Sequence, residues 1–280
     1  MWGKGNLLLV ASISVALFCK VTVGRVIPLD MAMDAVDDIY HGCREQALEK
    51  FIHSGLLKQE LNHSEAFKNA WIQKDQCSKI LPGKAKEHTA ALQAYSNGGE
   101  DFIKTFNNAV KSLGTNESIY ENYFHFKSFH FLLMDSMMML PPDKCKTMYV
   151  VHEESYTAKK GSKVRFGTFF KVHSSESVLS DYDLDGQVVF NITSCFFVNL
   201  GDNICTNEDA VLLSPAEIFT VEDVRKVSDA EGTEYTEIIL KHSDVESSHN
   251  CYIFSRSPAG VSSQWLAMML MALLLFSSSC

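Results

Sequence analysis

The chain has 280 residues, a formal net charge of −9 at pH 7 and 46% hydrophobic residues. Phosphate contacts need clustered Lys and Arg side chains, and no such cluster occurs, so nucleic acid is not an expected partner. A net negative charge also opposes attraction to anionic lipid. The sequence contains no Gly-rich phosphate loop, no nucleophile elbow and no His-Glu-x-x-His pair, and we expect no metal site.

The first 24 residues have the layout of a secretory signal peptide. Lys4 supplies a positive charge, an apolar run follows over residues 7–19, and Gly24 is a small residue suited to cleavage. The run is shorter than the roughly 20 apolar residues of a membrane span. We therefore expect an exported protein whose mature chain begins near Arg25.

The C-terminal end has the pattern of a GPI attachment signal. Small residues occur within positions 255–260, a short polar spacer follows, and residues 265–276 form an uncharged apolar tail. The predicted organisation is a signal peptide at 1–24, one domain at 25–256 and a removed GPI signal at 257–280. We expect the protein to pass through the secretory pathway to the extracellular face of the plasma membrane.

Export also decides how the remaining cysteines and sequons are interpreted. An even number of cysteines in an exported chain indicates disulfides, and six of them permit fifteen pairings. The six are Cys43, Cys77, Cys145, Cys195, Cys205 and Cys251. Sequons at Asn62, Asn116 and Asn191 predict a glycoprotein. Asn191 lies within a predicted strand, so it carries a glycan only if its side chain faces solvent.

Helical periodicity dominates the first half of the mature chain. Apolar residues recur every three to four positions in residues 35–61, with Gly55 as a possible break. Ser64 is a predicted N-cap for a helix that runs toward Ile80. Further helices are predicted at residues 87–95, 101–113 and 117–140, and Pro141-Pro142 ends the last one.

Short strands dominate the second half. Segments rich in Val, Ile, Phe and Tyr occur within residues 148–152, 164–170, 188–195 and 207–219. Helices followed by strands predict an α+β fold, in which a helical N-terminal half packs on a small mixed sheet split into two facing parts. We expect the ligand site on the sheet.

Several segments resemble the vertebrate GPI-anchored arginine-specific ecto-ADP-ribosyltransferases, the NAD(P)(+)–arginine ADP-ribosyltransferase family. The matching segments are residues 30–43, 70–71, 91–96, 106–110, 129–133, 164–167 and 211–219. The resemblance spans roughly residues 30–251 and implies an ADP-ribosyltransferase-type core with one NAD cleft. It also implies the disulfides Cys43–Cys251 and Cys145–Cys195, which leaves Cys77 and Cys205 unassigned, and we expect a monomer.

Enzymes of that family cleave the bond between ribose and nicotinamide in NAD and transfer ADP-ribose to an arginine side chain. An oxocarbenium-like transition state needs a nearby carboxylate and hydrogen bonds to the ribose. The resemblance implies an arginine at the end of one strand, a serine on the next strand, and a Glu-x-Glu sequence before a later strand. The second glutamate is the essential carboxylate, and the first directs transfer to arginine.

This chain departs from that pattern at three positions. His152 replaces the arginine, although the alignment can shift by two residues, and Lys171 replaces the serine. Ser174 would substitute for that serine only if the strand carried a bulge. Glu208 keeps the arginine-directing position, whereas Ala210 replaces the essential glutamate.

These replacements predict weak activity or none. A neutral histidine clamps an anion less well than arginine does, and loss of one preorganised electrostatic group costs about 2.7–4 kcal/mol. Asp209 is adjacent to Ala210, but a one-residue shift along a strand points its side chain to the opposite face. Arg165 is shared with the family, so we expect it at the NAD cleft but not as a substitute clamp.

We therefore expect an ecto-mono-ADP-ribosyltransferase family protein, with NAD as a possible substrate or ligand and no tightly bound cofactor. If the protein is active, its acceptors are arginine side chains of extracellular proteins. One alternative is a catalytically inactive cell-surface glycoprotein, a pseudoenzyme that acts as a binding or adhesion module. Two others are an enzyme rebuilt around Glu208 or Asp209 and a structural surface protein without a ligand.

Overall fold

The computed structural model describes residues 26–72, 86–205, 209–228 and 232–254. Within them the helices precede most of the strands, so the α+β prediction is confirmed. The predicted signal peptide and GPI signal lie outside the described residues, as do Cys77, Glu208 and the end of the helix expected to reach Ile80. In the described part of the chain, no helix is long and apolar enough to cross a membrane.

In the described ranges, seven α-helices precede the main sheet along the chain, and an eighth lies between two of its strands. A π-helical turn at Glu49–His53 extends the first helix, and 3-10 turns occur at Glu176–Asp181 and Tyr252–Phe254. The α-helices of the described residues are α1 (Arg44–Leu48), α2 (Leu56–His63), α3 (Glu65–Ile72), α4 (Lys86–Asn97), α5 (Glu100–Ser112), α6 (Glu117–Tyr123), α7 (Lys127–Met139) and α8 (Leu200–Ile204).

Local chemistry explains most of these boundaries. Gly55 has φ +87°, a left-handed conformation suited to glycine, and it separates the π turn from α2 as expected. The Ser64 hydroxyl oxygen accepts a hydrogen bond from the Phe67 amide at 3.2 Å, which caps α3. The helix predicted from residue 35 was wrong at its start, because residues 36–40 are not helical. There the Asp38 carboxylate accepts a hydrogen bond from the Tyr40 amide at 2.8 Å, a turn that competes with a helix.

The helix predicted over residues 117–140 is two helices. Its break is stabilised by Glu60 on α2, whose two carboxylate oxygens accept hydrogen bonds from the Lys127 and Ser128 amides at 2.8 and 2.9 Å. Those amides are at the first turn of α7 and have no partner within the helix. A carboxylate from a distant helix therefore starts α7, and no local pattern predicts it.

The described strands form one two-stranded and one eight-stranded sheet. The strands are β1 (Ile27–Pro28), β2 (Lys146–His152), β3 (Tyr156–Thr157), β4 (Lys163–Val164), β5 (Phe170–His173), β6 (Val188–Ser194), β7 (Phe197–Asn199), β8 (Ala210–Leu213), β9 (Glu217–Ser228) and β10 (Glu234–Val245). The order in the larger sheet is β4-β9-β10-β6-β2-β5-β8-β7. The β6–β10 pair is parallel and its other pairs are antiparallel, so the sheet is mixed.

The expected division into two parts occurs between β2 and β5. These two strands are joined by one residue pair, Tyr149 with His173, whereas β2 and β6 pair along seven residues. One buried cluster contains Met148 and Phe190 from the five-strand part together with Val172 and Leu213 from the three-strand part. The two parts therefore pack against each other across a shared apolar core.

The helices cover the opposite face of the three-strand part. Their core contains side chains from α3, α4, α5 and α7, and it includes Phe169, Val198 and Leu212 from the sheet region. This packing holds α5 next to the end of β2 and the start of β5. A cavity opens at that meeting point.

Candidate active site

The cavity at the junction of α4, α5, β2 and β5 has a volume of about 700 Å³. Its size falls within the range of roughly 300–1,000 Å³ typical of ligand pockets. His152 and Lys171, two of the site residues predicted from the sequence, both line it. A second cavity of about 550 Å³ adjoins it and shares His152 and Phe170. We refer to the first as the His152 cavity and the second as the smaller cavity.

His152 belongs to a stack of aromatic rings. Its imidazole is parallel to the Phe170 ring within 4° at a centroid distance of 5.0 Å. Phe166 stacks on Phe170 at 4.3 Å, and Tyr156 meets the imidazole edge-on at 5.4 Å. Burial lowers the pKa of His152 below its ordinary value. The lowered pKa favours the neutral imidazole at pH 7, and the side chain presents a flat ring where the resemblance implies a guanidinium.

Lys171 and Ala210 lie on neighbouring strands with the same orientation. Lys171 pairs with Leu212, and His173 pairs with Ala210, so these four side chains share one face of the sheet. Ala210 has no exposed surface. Ala210 is thus on the same face as Lys171 and presents only a methyl group buried in the core, and its correspondence to the essential glutamate stays a prediction.

Asp209 and Ser174 form a separate, exposed pair beyond the ends of these strands. The Ser174 hydroxyl donates a hydrogen bond to the Asp209 carboxylate, and His173 Nδ1 lies 3.2 Å from the Asp209 carbonyl oxygen. Pairing between β5 and β8 is regular, without the bulge that would move Ser174 into the place of Lys171. Asp209 lies just before β8 and is exposed, whereas Ala210 is the first residue of β8 and is buried. Glu208 lies outside the described residues.

Arg165 lines the smaller cavity, but its guanidinium is bonded to protein groups. Nη1 lies 2.6 Å from the Asp37 carboxylate, Nε donates to the Met31 carbonyl at 2.9 Å, and Nη2 donates to the Ser248 hydroxyl at 3.2 Å. Burial alone would raise the pKa of Asp37, but hydrogen bonds from His249 and Ser248 and the charge of Arg165 lower it overall. These contacts join the N-terminal segment to the end of the chain, and a role of Arg165 toward NAD stays a prediction.

The described residues include both predicted disulfides and all three sequon asparagines. The disulfides Cys43–Cys251 and Cys145–Cys195, implied by the family resemblance, are both present. Cys205 is also disulfide-bonded. Of the sequon asparagines, Asn62 and Asn116 are exposed, and Asn116 caps α6 by accepting from the Ile119 amide at 3.0 Å. Asn191 is half-buried, and its Nδ2 donates to the Glu237 carboxylate at 3.0 Å.

Sequence reasoning missed several polar residues that line the His152 cavity. They are Ser96, Glu100, Lys104, Asn107, Glu153 and Glu154. Lys104 and Asn107 are three residues apart on α5, and this spacing places them on one helix face. The sequence did contain an indication of two of them, since Ser96 and Asn107 belong to segments that carry the family resemblance. Among the described residues, no three His, Cys, Asp or Glu side chains are grouped to hold a metal ion.

The arrangement of helices, split sheet and cleft is that of mono-ADP-ribosyltransferases. A crystal structure of a Glu→Ala variant of the eukaryotic mono-ADP-ribosyltransferase ART2.2, in complex with NADH, is similar with a TM-score of 0.64. The two chains are 26% identical, and the match covers 80% of this chain and 98% of the ART2.2 chain. The fold and the cleft thus define the class of protein.

The profile of the family described as "ART: NAD:arginine ADP-ribosyltransferase" matches residues 29–248, and the chain therefore belongs to this family. Ecto-ADP-ribosyltransferase 3 of Mus musculus is 32% identical over 211 residues, which cover 69% of this chain and 55% of the relative. The GPI-linked NAD(P)(+)–arginine ADP-ribosyltransferase 1 of Mus musculus is 25% identical over 285 aligned residues, 90% of this chain and 85% of the relative.

Proposed function

We propose that this protein is a cell-surface mono-ADP-ribosyltransferase family member that binds an NAD-type dinucleotide in the His152 cavity and transfers ADP-ribose to arginine only weakly. The observation that carries the proposal is the buried methyl group of Ala210 on the sheet face it shares with Lys171. An alanine supplies no charge to an oxocarbenium ion. Loss of such a preorganised group costs about 10² to 10³ in rate.

Binding of the dinucleotide depends on different features from its cleavage. The cleft keeps a volume of about 700 Å³, and a wall of stacked rings and several polar groups remain in it. The ART2.2 variant that holds NADH itself has alanine in place of a glutamate. A missing glutamate is therefore compatible with dinucleotide binding in this fold. The departures at residues 152 and 171 change the lining of the cavity without filling it.

The cell-surface assignment rests on the two ends of the chain and on the relatives. The GPI-attachment pattern at residues 257–280 agrees with the GPI-linked relative, and the paired cysteines agree with export. We propose an extracellular, GPI-anchored monomer. Arginine side chains of extracellular proteins are then the acceptors for whatever transfer occurs.

The test uses the glycosylated protein from mammalian cells and measures two quantities separately. NAD binding is followed as a rise in the unfolding midpoint with ligand concentration. Transfer is followed as nicotinamide release and modification of a small guanidine acceptor, with an active family member in parallel. We expect NAD to stabilise the protein and the rate to be at least about 100-fold below that of the active relative.

Two outcomes would contradict the proposal. A rate comparable to that of the relative, lost in a Glu208→Gln variant, would mean that the site has been rebuilt around Glu208. No stabilisation at millimolar NAD would mean that the cleft does not bind a dinucleotide. An Ala210→Glu variant adds a positive test, since it restores the carboxylate and should raise the rate. Its unfolding midpoint is measured first, because the position is fully buried.

A further inference from the structure

An exposed tyrosine lies in an acidic segment between β5 and β6. The side chain of Tyr182 is 49% exposed. Asp181 and Asp183 are its neighbours in the chain, Asp185 follows shortly after, and all three aspartates are exposed. Residues 177–187 contain no Lys, Arg or His. The phenol is therefore presented to solvent in a strongly negative environment.

The backbone at this tyrosine is extended and lies outside the two sheets. Tyr182 has φ −119° and ψ 146°, and an extended segment is the form that a protein cleft binds as an added strand. The segment is fixed on both sides, because the Tyr182 amide donates to the Leu179 carbonyl at 3.3 Å and Asp185 Oδ1 accepts from the Glu234 amide at 3.1 Å. The Tyr182 hydroxyl itself makes no hydrogen bond to the described residues. Its oxygen is thus available to an enzyme that approaches from solvent.

Two other tyrosines show that neither exposure nor acidic neighbours alone produce this combination. Tyr123 is 63% exposed, but it is the last residue of α6 and has no carboxylate on either adjacent residue. Tyr235 follows Glu234, but it lies within β10 and pairs with Val227 of β9. Of the three, Tyr182 joins an exposed ring and acidic neighbours on both sides to a backbone free of strand pairing.

The charge of the segment favours a reaction whose donor is an anion. An activated sulfonate and the nucleotide that carries it are both negative, so an enzyme that transfers a sulfonate binds them with Arg and Lys side chains. A basic enzyme surface of this kind attracts a tyrosine that lies between carboxylates and disfavours one beside lysines. The segment around Tyr182 has the complementary charge.

We propose that Tyr182 is a site of tyrosine O-sulfation, made as the chain passes through the secretory pathway. The phenolic oxygen forms a bond to the sulfur of a nucleotide phosphosulfate, and the bond from that sulfur to the bridging phosphate oxygen breaks. The phenolic proton passes to a base of the sulfotransferase, and the nucleotide leaves as its phosphate, so no oxidant or reductant is involved. The product adds a permanent negative charge beside Asp181 and Asp183, which Arg and Lys side chains of an extracellular partner can bind.

This inference rests on the export in the proposed function and adds a covalent modification to it. The test supplies radioactive sulfate to mammalian cells that produce the full chain, removes the N-glycans enzymatically and measures labelled sulfotyrosine after alkaline hydrolysis. We expect label in the unmodified sequence and its loss in Tyr182→Phe. That variant keeps the exposed ring, and its unfolding midpoint should be unchanged. Tyr123→Phe, the control for an exposed tyrosine, should keep the label.

A second pair of variants tests the contribution of the acidic neighbours. Asp181→Asn should lower incorporation about tenfold, because it removes one charge-assisted contact with the basic enzyme. Asp101→Asn changes an exposed carboxylate on α5 and should leave incorporation unchanged. Equal incorporation in the two variants would contradict recognition through the carboxylate next to the tyrosine.

The outcomes separate this inference from the function it rests on. Sulfotyrosine that persists in Tyr182→Phe, or its absence from chains that carry N-glycans, would overturn the sulfation site and leave the proposed function standing. A chain without N-glycans would instead contradict export. Tyr182 is then tested by incubating the purified protein with a Golgi tyrosine sulfotransferase and its donor. Modification that is lost in Tyr182→Phe would support the site, and no modification would overturn it.

Discussion

Residues 152 and 165 both line the smaller cavity, and they are stabilised in different ways. At position 165 the arginine is retained, buried and bonded to Asp37, whose exposed fraction is 1%. At position 152 the resemblance places an arginine, yet the chain has a histidine stacked on Phe170. The first arginine neutralises a buried carboxylate of its own chain, whereas His152 is stabilised by ring contacts with Phe170, Tyr156 and Phe190.

This difference distinguishes a residue that stabilises the fold, Arg165, from a residue that lines the cavity, His152. Replacing Arg165 would leave the buried Asp37 carboxylate with His249 as its remaining charged partner, so the arginine stabilises the fold. The arginine that the resemblance places at 152 is absent, and a stack with Phe170 stabilises the histidine there instead. The family fold therefore does not depend on an arginine at this position.

The largest expected effect is the loss of the Arg165 charge. An Arg165→Met variant keeps much of the volume but leaves buried Asp37 with His249 as its remaining charged partner, and we expect a loss of about 3 kcal/mol in the free energy of unfolding. Chemical denaturation monitored by fluorescence measures it. Arg225→Met is the matched control, because Arg225 pairs with Glu237 but is largely exposed and should matter far less. Equal losses in the two variants would show that Arg165 stabilises the fold no more than an exposed arginine does.

A smaller effect is expected from restoring arginine at the other position. His152→Arg introduces a guanidinium next to the His152 cavity, and we expect NAD to bind about tenfold more tightly because hydrogen bonds between charged groups are worth about 1.5–3 kcal/mol. Nicotinamide riboside, which lacks phosphate, should gain nothing. Competition titrations of both ligands measure the change. A gain for nicotinamide riboside equal to that for NAD would show that the arginine acts through packing rather than on phosphate.

A third prediction concerns a buried carboxylate outside the cleft. Glu217, with no exposed surface, accepts hydrogen bonds from the Ser194 hydroxyl at 2.7 Å and the Cys195 amide at 3.0 Å, and His242 Nδ1 lies 2.7 Å from it. The hydrogen bond to Glu217 raises the pKa of His242, against the opposing effect of burial. A raised pKa gives stability that is fully present below the unfolded pKa of about 6.5 and is lost as pH rises through the folded value.

His242→Gln should therefore cost more free energy of unfolding at pH 6 than at pH 8. Glutamine keeps a donor for Glu217 but carries no charge, so the difference between the two pH values reports the protonated histidine. Denaturation curves of the unmodified protein and of the His242→Gln variant at pH 6 and pH 8 measure this difference. A cost that is the same at pH 6 and pH 8 would show that His242 contributes only a neutral hydrogen bond, unlike the Arg165–Asp37 pair.

The α+β class follows from the sequence because helical and strand periodicities are local, whereas the family and the site residues follow from the resemblance. His152 and Lys171 were predicted as site residues without a strand order, and the neighbouring positions of β2 and β5 in the sheet bring them together. Ser96 and Asn107 were not predicted as cavity residues, because their place in the lining depends on how α4 and α5 pack against the sheet. Likewise, Glu60 starts α7 from a distance of 67 residues in sequence, and no periodicity records such a contact.

The smallest expected effect concerns Asn191, which contacts Glu237, the partner of the Arg225 used above as a control. Its Nδ2 donates to Glu237 Oε1, while Arg225 Nε donates to Glu237 Oε2 at 2.6 Å. A glycan on Nδ2 would have to displace this half-buried arrangement, whereas Asn62 and Asn116 are exposed. We expect Asn62→Gln and Asn116→Gln each to lower the glycoprotein mass and Asn191→Gln to leave it unchanged. A mass loss in Asn191→Gln would mean that Asn191 carries a glycan. The Glu237 carboxylate would then be held by Arg225 without the asparagine.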